Sequence, residues 1–184
     1  MSQYLILCVD DERDVLDSVV DDLQGFADHF EIEAAESVTE ARDVIHDMAA
    51  EGTQLALILC DHIMPGELGV DFLIELANQP QTASARKILL TGQAGLEDTV
   101  SAVNHASLHY YLAKPWQKDT LVSVVTDQLT SYMVAHEPIC FLGLASSIRR
   151  VSWKRLTKIS GIWAVNSVYL FLLPRIGSEI GKKA

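Results

Sequence analysis

The sequence predicts an α/β protein: a doubly wound, five-stranded parallel sheet with five helices, followed by a basic and apolar C-terminal tail expected to be helical. Three observations carry this. Short apolar runs alternate with stretches whose apolar residues recur every three or four positions. Several of those runs end abruptly in acidic or polar residues. Each strand is followed by a helical pattern, and parallel neighbours require such crossovers, which places helices on both sheet faces.

The elements follow in order. Tyr4 to Val9 is a continuous apolar run that ends at Asp10-Asp11-Glu12, as expected of a buried strand with an acidic end. Val15, Leu16, Val19, Val20, Leu23 and Phe26 then recur at helical spacing and define a first helix. "FEIEAAE" is the second strand, and Ser37-Val-Thr-Glu40 is a capping box opening a second helix to about Met48. Residues 55–60 form the third strand, with Asp61 after it. "PGELG" is a turn, and Val70, Leu73, Ile74 and Ala77 mark the third helix. Residues 87–90 are a fourth strand, 96–105 a fourth helix, 108–112 a fifth strand and 118–134 a fifth helix. No internal repeat or low-complexity segment interrupts the pattern.

Open α/β sheets gather ligand chemistry at the carboxyl ends of their strands. Asp10 and Asp11 follow the first strand, Asp61 the third, Thr91 closes the fourth and Lys114 follows the fifth, so all are expected on one rim. Clustered carboxylates repel one another in a partly desolvated crevice, and a cation relieves them. With only oxygen donors, the hard ion Mg²⁺ is the expected partner. A lysine and a threonine hydroxyl beside it suit a transferring phosphoryl group, whose charge spreads over its peripheral oxygens.

"CVDDE", "DHIMPGELG" (fitting D-x-x-M-P-x-x-x-G), "LLTG" and "YYLAKPW" stand in this order, each at a strand end. Together they resemble the receiver domain of two-component response regulators, over roughly residues 3–136. The resemblance implies the flavodoxin-like receiver fold, with Asp61 as phosphoacceptor attacking the phosphohistidine of a histidine kinase or phosphotransfer protein. It further implies that Asp10, Asp11, Asp61 and the backbone carbonyl of Ile63 hold Mg²⁺, Asp10 mainly through water. Thr91 and Lys114 would contact the phosphoryl group and Tyr111 would be the aromatic switch. Pro115 would follow a cis bond. The fourth helix, fifth strand and fifth helix would form the surface that meets a downstream protein or a second copy of the chain. The expected activity is self-phosphorylation and slow autodephosphorylation, because Ile63 places apolar bulk beside the acceptor and Gln93 occupies the other flanking position.

Two other functions fit clustered aspartates on such a sheet: a Mg²⁺-dependent phosphohydrolase with an aspartyl-phosphate intermediate, and a binding module that works without phosphorylation. The hydrolase usually carries D-x-D on its first strand, whereas Asp10 and Asp11 are adjacent here. Single features have plainer readings as well. An acidic run at a helix start complements the helix dipole, Lys114 alone is a surface cation, and His105 and His109 straddle an element junction instead of sharing a zinc-binding helix face. Neither GxxxxGK nor GxGxxG occurs, so nucleotide binding has no support.

Composition narrows the setting. The formal net charge is −11, but residues 1–138 carry 6 Lys/Arg against 24 Asp/Glu and residues 139–184 carry 8 against 1. Nonspecific binding of nucleic acid by the whole chain is therefore not expected. The three widely spaced cysteines, Cys8, Cys60 and Cys140, are expected as free thiols in a reducing compartment. An acidic N-terminus without a basic flank points to cytoplasmic synthesis. The receiver is expected over residues 1–136 and the tail over 137–184. "SSIRRVSWKRLTKIS" is basic and "GIWAVNSVYLFLLP" is apolar, with only 16 residues between Lys158 and Arg175, short of a comfortable span. Three readings stay open for the tail: an interaction or dimerisation element, a membrane-associating segment, or a truncated or altered output region. Nothing in it resembles a helix-turn-helix, so DNA binding is not expected.

Overall fold

The computed structural model describes residues 4–92 and 107–136. The chain divides into two units, Met1–Pro138 and Ile139–Ala184, and every described residue belongs to the first. The elements run β1 (Tyr4–Val9), α1 (Arg13–Leu23), β2 (Glu31–Ala35), α2 (Val38–Ala50), β3 (Gln54–Asp61), α3 (Gly69–Asn78), β4 (Arg86–Thr91), β5 (Tyr110–Ala113) and α4 (Lys118–His136). A short 3₁₀ turn, Gln24–Phe26, extends α1. The helix expected over 96–105 and the tail lie outside the described residues, so α4 is the segment anticipated as the fifth helix.

All four ladders are parallel and the strand order is β2-β1-β3-β4-β5. β3, flanked on both edges, is apolar on both faces, and Leu57, Ile58, Leu59 and Cys60 are fully buried. Side-chain alternation along the strands separates two cores. On one face Leu5, Leu7, Ile58 and Cys60 pack with Ala41 of α2 and with Val70, Phe72, Leu73 and Leu76 of α3. On the other, Ile6, Cys8, Leu57 and Leu59 pack with Leu16, Val19 and Leu23 of α1 and with Leu121, Val125, Leu129 and Tyr132 of α4. Each fully buried Leu or Ile contributes roughly 1.5–3 kcal/mol of apolar transfer free energy, so the doubly wound arrangement follows from where these side chains go.

The capping box forms with a shift. Ser37 Oγ accepts from the Glu40 N–H at 3.2 Å, while Glu40 Oε2 accepts from the Glu36 N–H at 2.7 Å, one residue before the cap. β5 starts two residues later than expected, at Tyr110. Ser107, just before the expected start, sits at φ 49°, outside the extended region. β3 runs one residue further than expected, so that Asp61 is its last residue. Among the described residues no helix is long and apolar enough to cross a membrane.

Candidate functional site

Parallel strands share a direction, and β1, β3, β4 and β5 deliver Asp10, Asp61, Thr91 and Lys114 to one edge of the sheet. The ammonium of Lys114 lies 2.5 Å from Asp10 Oδ2 and 2.6 Å from Asp61 Oδ1. The second oxygen of each carboxylate is also held: Asp10 Oδ1 accepts from the Glu12 N–H at 3.0 Å, and Asp61 Oδ2 from the Ile63 N–H at 2.7 Å. Each aspartate thus closes a turn onto the backbone two residues on and turns its free edge to the same cation.

Burial sets the electrostatics. Asp10 is 1% and Asp61 6% exposed. Burial raises the Asp10 carboxyl above its ordinary range; the Lys114 and Glu12 hydrogen bonds oppose this, and the charge of Asp61 adds to it. Burial alone would lower the Lys114 pKa, but its hydrogen bonds to Asp10 and Asp61 outweigh that and raise it. The ammonium therefore stays charged and is the counter-ion of the pair. Cys60, adjacent to Asp61, is no competing nucleophile, because burial pushes its thiol pKa up and the charges of Asp61 and Asp10 push the same way. Cys8 is raised by burial to about 12. Both are free, as expected, and Cys140 lies outside the described residues.

The loops hold this rim in place. After Asp61, the His62 N–H donates to the Leu90 carbonyl at 3.0 Å, the Gly69 N–H to the His62 carbonyl at 2.9 Å, and Ile63 bridges Leu68 antiparallel. Gly66, at φ 91°, makes the tight reversal between them. Gly69 is required for a different reason: a Cβ there would stand 1.8 Å from the Asp61 carbonyl oxygen. On the other side the Lys114 N–H donates to the Thr91 carbonyl at 2.9 Å, and the Lys114–Pro115 bond is cis, as expected. Asp22 of α1 accepts from Trp116 Nε1 at 3.2 Å and pairs with Lys118 at 3.2 Å, anchoring the segment that follows Lys114.

Of the residues expected at the site, the structure brings together Asp10, Asp61 and Lys114, with Thr91 buried at the end of β4. Tyr111 is half-buried in β5 and packs against the core beneath α2 and α3; its neighbour Tyr110 is exposed. Asp11 is exposed beside the pair, and Ile63 is exposed on the loop. Among the described residues, no group of three or more His, Cys, Asp or Glu side chains is arranged to hold a metal ion. The expected gathering of Asp10, Asp11 and Asp61 is here two carboxylates and a lysine, whose single charge offsets one of the two that the metal was expected to relieve. The donor set still suits a hard cation, since two buried carboxylates are aimed at one positive charge. The roles of Gly69 and of the Ile63 and Glu12 N–H groups were not anticipated; the sequence signal for the first two was the D-x-x-M-P-x-x-x-G spacing, and for Glu12 the "CVDDE" run.

The family model of the response regulator receiver domain matches residues 6–126. The chain belongs to this family. Among curated relatives, this receiver is 32% identical over 141 residues to the hydrogenase transcriptional regulatory protein HoxA of Bradyrhizobium diazoefficiens, covering 73% of this chain and 26% of the relative. HoxA of Cupriavidus necator is 32% identical over 127 residues, covering 67% of this chain and 23% of the relative. The chain thus spans about a quarter of the length of these relatives. Among solved structures, a CheY-like receiver domain protein from Methanospirillum hungatei matches with a TM-score of 0.62 at 28% identity, covering 73% of this chain and 99% of that one. The doubly wound sheet is the receiver fold. The family is a signalling module, and receiver domains generally bind Mg²⁺ at the phosphorylation site.

Proposed function

We propose that this receiver is a phosphorylation-dependent switch that takes a phosphoryl group onto Asp61 from a histidine kinase or a phosphotransfer protein. The observation supporting this is the shared hold of Lys114 on Asp10 and Asp61 at the strand-end rim. In the step proposed, a lone pair of the Asp61 carboxylate attacks phosphorus as the phosphorus–nitrogen bond of phosphohistidine breaks, and the imidazole leaves with that electron pair. The Ile63 N–H aims the nucleophile, and Lys114 pairs with the peripheral oxygens as charge builds on them. Asp11, Asp61 and the Ile63 carbonyl, with Asp10 mainly through water, would hold Mg²⁺, which supplies further charge neutralisation when bound.

An acyl phosphate adds negative charge and strong acceptors where Lys114 and Thr91 meet. Moving those two groups biases Tyr111 and the surface of β5 and α4, proposed, together with the expected helix over 96–105 outside the described residues, to meet a downstream protein or a second copy of the chain. Ile63 beside the acceptor hinders an attacking water, so autodephosphorylation is slow. The setting proposed is cytoplasmic. Incubation with acetyl phosphate and Mg²⁺ followed by intact mass measurement should show one added phosphoryl group, absent from Asp61→Asn. Turnover of phosphomonoesters would favour a hydrolase instead, and no modification of the wild-type chain would leave a binding module.

A further inference from the structure

Outside the rim, one cluster of charges reaches the acceptor loop from the helical layer. Arg42, on α2, spends all three guanidinium nitrogens on two carboxylates. Nη1 and Nη2 donate to Glu67 at 3.1 and 2.8 Å, while Nε and Nη2 donate to Glu75 Oε2 at 3.1 and 2.5 Å. The guanidinium also lies over the ring of the fully buried Phe72, 5.2 Å from its centroid. Side chains of all three charged residues are only 35–37% exposed. Two forked pairs on one stacked cation form a network that an isolated surface ion pair does not match.

The position of the two carboxylates differs in consequence. Glu75 is inside α3, but Glu67 lies in the loop between the Gly66 reversal and Leu68. That loop carries the Ile63 N–H, 2.7 Å from Asp61 Oδ2. It is closed at its base by the Ile63–Leu68 bridge and the Gly69–His62 hydrogen bond, whereas its outer limb is tied to the helices through Glu67 and Arg42.

We propose that Arg42 is a positioning residue for phosphotransfer, clamping the acceptor loop through Glu67 so that Ile63 keeps its backbone groups aimed at Asp61 and the cation beside it. This deepens the phosphoacceptor reading and rests on it for its kinetic consequence. Arg42 touches no reacting atom; it limits the loop positions that Ile63 can take, as supporting shells do for metal and catalytic sites. Lysine would keep the charge and lose the fork, so it is a partial substitute only.

The test compares the wild-type chain with Arg42→Met, Arg42→Lys, Glu67→Gln and, as a control far from the loop, Gln128→Leu, which removes the acceptor for Arg86 on α4. Amide hydrogen exchange, measured without Mg²⁺ or phosphodonor, should quicken across residues 63–68 in Arg42→Met and Glu67→Gln, less in Arg42→Lys, and not in Gln128→Leu. The Mg²⁺ concentration giving half-maximal phosphorylation by acetyl phosphate should rise about tenfold in the first two, with the rate at saturating Mg²⁺ little changed. Lower thermal stability with unaltered loop exchange and unaltered Mg²⁺ dependence would overturn the clamp, leaving Arg42 as packing alone. Failure of the wild-type chain to be phosphorylated would remove the acceptor reading, while the exchange result would still decide whether Arg42 restrains the loop.

Discussion

The Lys114 ammonium, just past the end of β5, and the Asp61 carboxylate, at the end of β3, stand 2.6 Å apart across the end of β4, and the same ammonium is 2.5 Å from Asp10. One cation is therefore shared by two buried anions. Removing one member of such a set leaves uncompensated buried charge, at a cost of about 3 kcal/mol. Lys114→Met should unfold at markedly lower urea concentration than wild type in EDTA at pH 7. Mg²⁺ should restore more stability to the variant than to the wild-type chain, because it is the remaining source of positive charge. Equal stability of the two proteins in EDTA would show that Lys114 is not the counter-ion.

Two glycines of the acceptor loop separate crowding from backbone strain. An alanine at Gly69 would put its Cβ 1.8 Å from the Asp61 carbonyl oxygen and 2.9 Å from Cys60 Sγ, so α3 would have to move away from β3. At Gly66 a Cβ meets nothing within 4 Å, and only the φ of 91° resists it. Gly69→Ala should lose about 3 kcal/mol or more in urea denaturation and be phosphorylated poorly. Gly66→Ala should lose about 1–2 kcal/mol. Comparable losses would contradict the close approach of α3 to the acceptor strand.

The sheet and its reactive edge were legible because both are written as contrast: apolar runs that stop at Asp10, Asp61, Thr91 and Lys114. Contacts formed between distant segments were not. Arg42 meets partners 25 and 33 residues away, and no local pattern distinguishes it from any solvated helix residue. Lys87 looked like the polar start of a strand, yet it is fully buried, its ammonium donating to the carbonyls of Thr82, Ala83 and Ala85. Burial lowers its pKa to about 8, with Arg86 adding to the effect, so at neutral pH the charged form still fills that carbonyl cage. β5 was placed two residues early because Leu108 reads as strand, whereas the left-handed φ of Ser107 turns the chain just before it.

The same Lys87 makes a reciprocal pair with His109: its N–H donates to His109 Nδ1 at 3.0 Å, and the His109 N–H returns to the Lys87 carbonyl at 2.9 Å. Nδ1 must be unprotonated to accept. Burial, then the charges of Arg86 and Lys87, pull the His109 pKa down to about 4. An unfolded histidine titrates near 6.5, so between these values the unfolded chain binds the extra proton. The contribution is complete above about pH 6.5 and is lost as pH falls toward 4, on the order of 1–2 kcal/mol once partial exposure is allowed for. His109→Asn keeps an acceptor and removes the titration. Urea stability measured from pH 7.5 to 4 should therefore fall more steeply for the wild-type chain than for the variant, with the difference confined to that window. Parallel curves would mean that His109 does not protonate differently in the two states, because the carboxylates that titrate in the same range are common to both proteins.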